Sequence, residues 1–203
     1  MKIFLDTAGI DEVRTAARWG VLDGVTTNPS LFARVGGSYD EVLKEICAVT
    51  PGPVSAEVVA DDIDGMLRQG RHFATLAPNV FVKVPMSEVG LEAIARLAEE
   101  GIRTNCTLIF SANQGLLAAR AGASLLSPFV GRLDDINQDG MEVVRQLVAI
   151  VDAYHLATEV LAASIRSPRH MTEAAVQKFR KDWEAAQASH VRATVLSRPR
   201  NGS

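Results

Sequence analysis

The sequence has little of several features that mark particular classes of protein. Its 203 residues include only two cysteines, Cys47 and Cys106, which is too few for a disulfide framework. No run of about 18 uncharged apolar residues occurs, so we expect no membrane-spanning helix. Lysine and arginine (21) do not outnumber aspartate and glutamate (24), and the formal charge of −3 argues against a nucleic-acid binder.

Targeting and cofactor motifs are also missing. Asp6 interrupts the first apolar stretch, so we expect no signal peptide and a reduced, cytoplasmic protein. Neither GxGxxG after the first strand nor GxxxxGK[ST] anywhere is present, which removes support for a nucleotide site. The four histidines share no metal-ligand spacing, so we expect neither a metal nor another cofactor: His72, His155, His170 and His190.

What the sequence does have is a regular alternation of short apolar runs with helical patterns. Glycines mark several returns from helix to strand, as at Gly20, Gly101 and Gly122. The strand candidates are apolar on both faces, which is typical of a parallel sheet covered by helices. They span residues 2–7, 24–28, 54–59, 80–85, 103–110, 124–131 and 158–166. This order predicts either a closed β/α barrel or an open doubly wound sheet.

Polar residues favour the barrel, because they gather at or near the carboxyl ends of many strand candidates. A β/α barrel builds its active site at that end of its strands. We therefore predict an α/β fold of the TIM-barrel type, with one domain over residues 1–189 and a flexible tail over 190–203. The polar residues are Asp6, Thr26, Asn28, Glu57, Lys83, Asn105, Thr107, Ser127, Arg132, Ser164 and Arg166.

Lys83 is the residue that points to a chemistry. It interrupts the run at 80–85, which otherwise suits a buried strand, and lysine is rarely buried without a partner or a task. Desolvation favours the neutral amine, which can attack a ketone and form a Schiff base. The alternative is a lysine that extends to solvent or is paired structurally.

Two carboxylates and a hydroxyl could handle protons near that lysine. Asp6 ends the first strand and Glu57 lies within the third, so one could act at the substrate and the other through water. Thr107 completes the set. Each carboxylate also has a structural alternative, such as a helix N-cap for Asp6.

Three residues after the last two strands suit a phosphate group. Arg132 follows the sixth strand, and Ser164 and Arg166 follow the seventh. Two guanidinium groups and a hydroxyl can bind a phosphate dianion, although their spacing alone does not specify the ligand.

Seven segments in unbroken order, from residue 2 to about residue 175, carry a family resemblance. They are FLDTA at 4–8, GVTTNPSL at 24–31, SAEV at 55–58, VKVPM at 82–86, TNCTLIFSANQ at 104–114, SPFVGRLDD at 127–135 and LAASIRSP at 161–168. With them the chain resembles the small, single-domain branch of the transaldolase family, which also contains fructose-6-phosphate aldolases.

The resemblance implies a β/α barrel and a class I mechanism without metal or cofactor. Lys83 would form the Schiff base, and Asp6 would act on the hydroxyl beside the breaking bond. Glu57 and Thr107 would hold a water that shuttles protons. The dihydroxyacetone portion would be bound by Thr26, Asn28, Asn105 and Ser127, and the phosphate by Arg132, Ser164 and Arg166. The resemblance also implies sugar phosphates as ligands, such as sedoheptulose 7-phosphate or fructose 6-phosphate, and a homo-oligomer built from pentamers into a decamer.

Two positions favour the transferase over the aldolase within that resemblance. Transaldolases carry phenylalanine and glutamate where this chain has Phe129 and Glu57, whereas the aldolases carry tyrosine and glutamine. A phenol can help to protonate the enamine and release dihydroxyacetone, and phenylalanine cannot. The alternative is a lyase that releases dihydroxyacetone from fructose 6-phosphate.

The chain departs from the family pattern near its C-terminal end. Residues 171–175 run directly into 176–183, which resemble the family's terminal helix, so roughly 25 to 30 residues, about one βα unit, are absent. We expect residues 176–188 to form that helix and the remainder to stay loose. In the alternative, residues 191–196 enter the gap as a strand. A third functional hypothesis is a remnant that cannot hold its site.

Overall fold

The computed structural model describes residues 1–165, and in that range the chain forms one parallel sheet. The sheet has seven strands, paired in the order β1-β2-β3-β4-β5-β6-β7. Their bounds are β1 Phe4–Asp6, β2 Gly24–Thr26, β3 Val54–Glu57, β4 Val80–Pro85, β5 Thr104–Ile109, β6 Leu125–Pro128 and β7 Glu159–Val160.

Eight helices connect these strands within the described range. They are α1 Ile10–Arg18, α2 Pro29–Val35, α3 Tyr39–Val49, α4 Ile63–Leu76, α5 Glu88–Glu99, α6 Ala112–Arg120, α7 Val130–Asp134 and α8 Gly140–Ala153. Several begin where a short polar side chain accepts a hydrogen bond from a backbone N–H of the first turn. The capping residues are Asn28, Asp62, Ser87, Ser111 and Asp139.

The strand order decides between the two architectures that the sequence allows. A doubly wound sheet reverses its order at a switch point, whereas here every strand pairs with its neighbours in sequence. The prediction of an α/β, TIM-type barrel lacking a unit is confirmed: within residues 1–165, no eighth strand joins β7 to β1. An exposed ion pair connects the start of the chain to β7: Nζ of Lys2, two residues before β1, lies 2.7 Å from a carboxylate oxygen of Glu159.

The core lies between the sheet and its helices, and β4 is buried along most of its length. Val82 and Val84 are fully buried there, and Ile94 and Leu97 of α5 are fully buried in the same cluster. Full burial of a side chain of this kind contributes about 1.5–3 kcal/mol. The middle strands are therefore held by a continuous apolar layer, which leaves few places for an unpaired polar group.

Several predicted boundaries differ from the observed ones. The strand predicted over 124–131 ends at Pro128, because α7 begins at Val130. The strand predicted over 158–166 has only two residues in β7, although Ala163 N still donates to Pro128 O at 2.9 Å. The extended backbone ends at Ser164, whose φ is 58°.

Other predictions lie outside the described residues. These concern Arg166, the helix over 176–188, the domain boundary at 189, the tail over 190–203 and the strand alternative at 191–196. Within residues 1–165, no helix is long and apolar enough to cross a membrane.

Candidate active site

Lys83 is buried and has two polar partners. Only 6% of the residue is exposed. Its Nζ lies 3.1 Å from Oε2 of Glu57 and donates to the backbone oxygen of Thr27 at 3.0 Å. The alternative of a lysine that extends into solvent is wrong. A buried ammonium group with a carboxylate and a carbonyl oxygen is compensated in charge and in hydrogen bonding.

The sheet register explains why Glu57 meets Lys83. The two residues are direct partners in the β3–β4 pair, and Lys83 is in turn the partner of Asn105 in the β4–β5 pair. Partners in adjacent parallel strands present their side chains to the same face. Strands lie about 4.8 Å apart, so a long side chain at the middle position can contact either neighbour.

Three polar side chains from β3, β5 and β6 form a chain of hydrogen bonds. Ser127 Oγ donates to Asn105 Oδ1 at 2.8 Å, and Asn105 Nδ2 donates to Ser55 Oγ at 2.9 Å. All three residues are buried. Because each hydroxyl or amide fixes the next, the orientation of the Asn105 amide is determined by its neighbours.

Asp6 and Thr26 form a pair at the carboxyl ends of β1 and β2. Thr26 Oγ1 donates to Asp6 Oδ1 at 2.7 Å, and the two residues are partners in the strand register. The N-cap alternative for Asp6 is wrong, because α1 has Gly9 at its N-cap. Asn28 does cap α2, where its Oδ1 accepts from Leu31 N at 3.0 Å. Its amide nitrogen is not used by that cap.

Thr107 is fully buried two residues after Asn105 in β5. Its hydroxyl oxygen has no hydrogen-bond partner among the described residues. An unpaired buried hydroxyl costs roughly 1–3 kcal/mol. The pairing of β5 with β6 shifts register between Cys106 and Ile109, and Leu108 lies in this irregularity with a φ of 60°.

A close backbone approach brings Ser164 beside Gly131, the residue before Arg132, so two of the three residues expected to bind phosphate have neighbouring backbones. Gly131 packs so tightly on the chain at Ser164 that a Cβ on the glycine would lie 2.1 Å from the Ser164 carbonyl oxygen. Arg132 follows Gly131 on α7 and is exposed. The ring of Phe129, just before α7, lies 5.9 Å from the ring of Phe110 in an edge-to-face contact.

Two residues that contact the site were not singled out from the sequence. Thr27 supplies a backbone oxygen to Lys83, and Ser55 supplies a hydroxyl to Asn105. Side-chain type carries no signal for a backbone acceptor, so Thr27 could not be chosen over Thr26. Ser55 lies in an apolar strand pattern, and its side-chain contact with Asn105, two strands away, is visible only in the structure.

A cavity and the possible metal ligands were the other features to consider in residues 1–165. A cavity of about 380 Å³ opens at the opposite, amino-terminal end of the strands, where its lining includes Phe4, Pro53, Phe81 and Leu125. Among residues 1–165, no three His, Cys, Asp or Glu side chains are grouped so that they could hold a metal ion. Within residues 1–165, the buried lysine and its polar neighbours are therefore the candidate active site.

A family model described as transaldolase/fructose-6-phosphate aldolase matches residues 3–179. The chain belongs to this family. The matched range contains Lys83, Glu57 and the other site residues, and the resemblance stated from the sequence is confirmed.

Relatives over most of the chain agree with that assignment. A probable transaldolase of Heliobacterium modesticaldum is 51% identical over 213 aligned positions, which cover 92% of this chain and 99% of the relative. A probable transaldolase of Roseiflexus castenholzii is 57% identical over 177 positions, covering 87% and 82%. The first alignment is longer than the 203-residue chain itself, so the relative contains residues that have no counterpart here.

Distant solved structures support the fold alone. A putative fructose-1,6-bisphosphate aldolase from Coccidioides immitis superposes with a TM-score of 0.52 at 14% identity, covering 77% of this chain and 62% of that one. A mandelate racemase/muconate lactonizing protein from Herpetosiphon aurantiacus gives 0.55 at 16% identity, covering 80% and 48%. The probable transaldolases are similar to this chain in sequence, whereas these two solved structures are similar to it in fold alone.

Proposed function

We propose that this protein is a transaldolase that moves a dihydroxyacetone unit from a ketose phosphate to an aldose phosphate through a Schiff base on Lys83. The observation that carries the proposal is the buried amine of Lys83 with the Glu57 carboxylate 3.1 Å away. An amine that must lose a proton before it attacks a carbonyl needs a base in contact with it.

In the proposed first stage, Lys83 Nζ attacks the ketone carbon and water leaves as the imine forms. Glu57 accepts a proton from the amine, and a water held by Glu57 and Thr107 carries protons to and from the departing oxygen. The buried, unpaired hydroxyl of Thr107 supports this assignment, since a water molecule would satisfy it. The carboxylate therefore acts at the nitrogen rather than at the substrate's carbon chain.

In the second stage, Asp6 removes the proton from the hydroxyl beside the carbon–carbon bond. That bond breaks, an aldehyde leaves, and the electron pair moves into the imine to give an enamine on Lys83. Attack of the enamine on a second aldehyde reverses these steps, and water then releases the product. The Thr26 hydroxyl donates to Oδ1 of Asp6, so the other carboxylate oxygen of Asp6 can accept the proton.

The substrate contacts are proposed from the same arrangement. Asn105, held by Ser127 and Ser55, presents an oriented amide beside Lys83 to the dihydroxyacetone portion. Thr26 and the Asn28 amide nitrogen would contact the same portion from β2. Arg132 with Ser164 would bind the sugar phosphate, together with Arg166, which lies outside the described residues.

Phe129 supports transfer over release of free dihydroxyacetone. Its ring packs edge-on against Phe110 and has no proton to give to the enamine carbon. Without a donor there, the enamine persists until an aldehyde acceptor arrives. The lyase alternative requires a proton donor at this place.

One assay tests the proposal: turnover of fructose 6-phosphate with and without erythrose 4-phosphate, combined with borohydride trapping. We expect turnover only with the acceptor, and a dihydroxyacetone-derived mass on the peptide that contains Lys83. Turnover without the acceptor would indicate the lyase instead. A folded protein without turnover or trapping would indicate the remnant. Lys44, which is exposed on α3, provides the control: Lys44→Arg should trap like the wild type and Lys83→Arg should not.

A further inference from the structure

Thr27, the first residue after β2, is fully buried and is bonded twice to the neighbouring strand. Its Oγ1 donates to the backbone oxygen of Ser55 at 2.6 Å, and its backbone N–H donates to the same oxygen at 3.0 Å. A carbonyl oxygen has two lone pairs, so it can accept both bonds. The side chain therefore fixes the backbone of Thr27 against β3 in addition to the ordinary pairing of the sheet.

The backbone oxygen of the same residue accepts a hydrogen bond from the Lys83 amine. Nζ of Lys83 donates to Thr27 O at 3.0 Å, while the carboxylate of Glu57, the proposed base, lies 3.1 Å from Nζ. A carbonyl oxygen accepts hydrogens and has none to donate, so it can hold an N–H of the neutral amine and cannot occupy the lone pair. The lone pair stays available for the ketone carbon, and its direction depends on where Thr27 O lies.

Ser55 connects this contact to the other parts of the site. Its backbone oxygen accepts from Thr27, and its Oγ accepts from Asn105 Nδ2 at 2.9 Å. Glu57 lies two residues further along β3. A movement of Thr27 relative to β3 would therefore change the position of the Lys83 amine relative to both its base and the Asn105 amide.

We propose that Thr27 is a positioning residue: its hydroxyl holds its own backbone oxygen in place, and that oxygen directs the lone pair of Lys83 towards the ketone carbon. The proposal rests on the function proposed above, because it assigns Thr27 to the formation of the imine. Reaction requires the two reacting atoms to approach within about 3–3.5 Å with their orbitals aligned, so the direction of the lone pair affects the rate. Thr27 acts through Lys83 and makes no contact with the sugar.

The test uses Thr27→Val, which keeps the size and the branching of the side chain and removes the hydroxyl. We expect kcat and the rate of borohydride trapping with fructose 6-phosphate to fall about fivefold, which corresponds to about 1 kcal/mol, the net size of one hydrogen bond. KM for fructose 6-phosphate and the affinity for glucitol 6-phosphate, which has no ketone, should stay within about twofold of the wild type. Thr27→Ser keeps the hydroxyl and loses a methyl group, so its trapping rate should stay within about twofold of the wild type even where its melting temperature falls.

Thr50 offers a matched control at the other end of the strands, in the loop before β3. It is also buried, and its Oγ1 and backbone N–H both donate to one backbone oxygen, that of Ile46, at 2.7 and 3.1 Å. Thr50→Val therefore removes the same kind of bond as Thr27→Val. It should change the melting temperature by a similar amount and leave the trapping rate at the wild-type value.

The two substitutions at Thr27 separate positioning from packing. Wild-type trapping in Thr27→Val, or a loss in Thr27→Ser as large as that in Thr27→Val, overturns the assignment. If Thr27→Val does not fold, Thr27→Ala takes its place, because Thr27→Ala and Thr27→Ser lose the same methyl group and differ only in the hydroxyl. Equal trapping rates in those two variants overturn the assignment as well. Failure of the wild-type protein to trap any sugar overturns the proposed function instead, so the two failures are distinguishable.

Discussion

The carboxylate of Glu57 reaches the amine of Lys83 because the two residues are partners in the register of β3 and β4. A slip of one residue in that register would turn the carboxylate to the other face of the sheet. The contact therefore depends on backbone pairing, and buried valines on both strands hold that pairing. A substitution at either residue tests chemistry and stability at once.

Glu57→Gln keeps the shape of the side chain and removes the proton acceptor. We expect borohydride trapping at Lys83 to slow by about 100-fold, the lower range for loss of an acid–base group. The free energy of unfolding should fall by about 3 kcal/mol, because a buried ammonium group loses its counter-charge. Glu100→Gln is the control, since Glu100 pairs with Arg71 on the surface and should change trapping by less than about twofold. Unchanged trapping in Glu57→Gln would contradict the assignment.

Arg132→Ala removes an exposed guanidinium group from α7. Binding of phosphorylated sugars should weaken by about 1.5–3 kcal/mol, the scale of a hydrogen bond between charged groups. Free dihydroxyacetone has no phosphate and should still be trapped on Lys83 at the wild-type rate. Arg120→Ala, an exposed arginine at the end of α6, should change neither value. Equal losses for both ligands in Arg132→Ala would assign Arg132 to the fold.

Phe129→Tyr adds a proton donor where the enamine is proposed to wait. The ratio of acceptor-independent cleavage to transfer should rise, and product analysis with and without erythrose 4-phosphate measures it. Phe110→Tyr is the matched control, since it adds the same hydroxyl to the other ring of the edge-to-face pair. A ratio that stays constant in an active Phe129→Tyr variant removes the argument for transferase.

Gly131→Ala introduces a Cβ that would meet the Ser164 carbonyl oxygen at 2.1 Å. Since a backbone oxygen cannot swing aside like a side chain, we expect a loss of about 1–3 kcal/mol in stability, together with weaker phosphate binding. Thermal denaturation and a titration with inorganic phosphate measure the two effects. Gly9→Ala is the control, because its Cβ would meet the end of the Glu12 side chain at 3.2 Å. Wild-type behaviour of Gly131→Ala would show that the approach at Ser164 relaxes freely.

The two buried thiols predict how stability depends on alkaline pH. Burial raises the pKa of the Cys47 thiol from 9.0 to about 11 and that of the Cys106 thiol to about 12. A raised thiol pKa gives stability that is fully present below pH 9 and is lost as the pH rises towards 12, by up to about 1.4 kcal/mol per unit for Cys106. Between pH 8 and pH 10.5 the urea midpoint of unfolding should fall less in Cys106→Ala than in the wild type. An equal fall in the two proteins would contradict this prediction. Iodoacetamide at pH 8 should label neither thiol in the folded protein.

The order of the elements could be predicted from the sequence because each signal is local. A glycine after a helix, as at Gly20 or Gly101, takes a positive φ of 71° or 74° and ends the helix whatever surrounds it. Apolar runs such as the one around Lys83 gave β4 its observed bounds. The bounds of β6 and β7 were wrong, since α7 begins early and pairing after β7 depends on contacts with β6.

The site could be predicted only in its side-chain chemistry. Lys83 stood out because it is charged in an apolar strand, and its burial is confirmed. The contact with Thr27 involves a backbone oxygen, for which a single sequence has no local signal. The roles proposed for Asp6, Thr107 and Arg132 stay predictions, and the Arg132→Ala variant tests the last of them.

Strand order that follows chain order also bears on how the protein folds during synthesis. Each described strand pairs with the one made just before it, so each pairing closes only the one or two helices between consecutive strands. The register of β3, β4 and β5, which sets Glu57, Lys83 and Asn105 side by side, needs no residue beyond β5. The nucleophile and its base can therefore be assembled on the ribosome while the last third of the chain is still being translated.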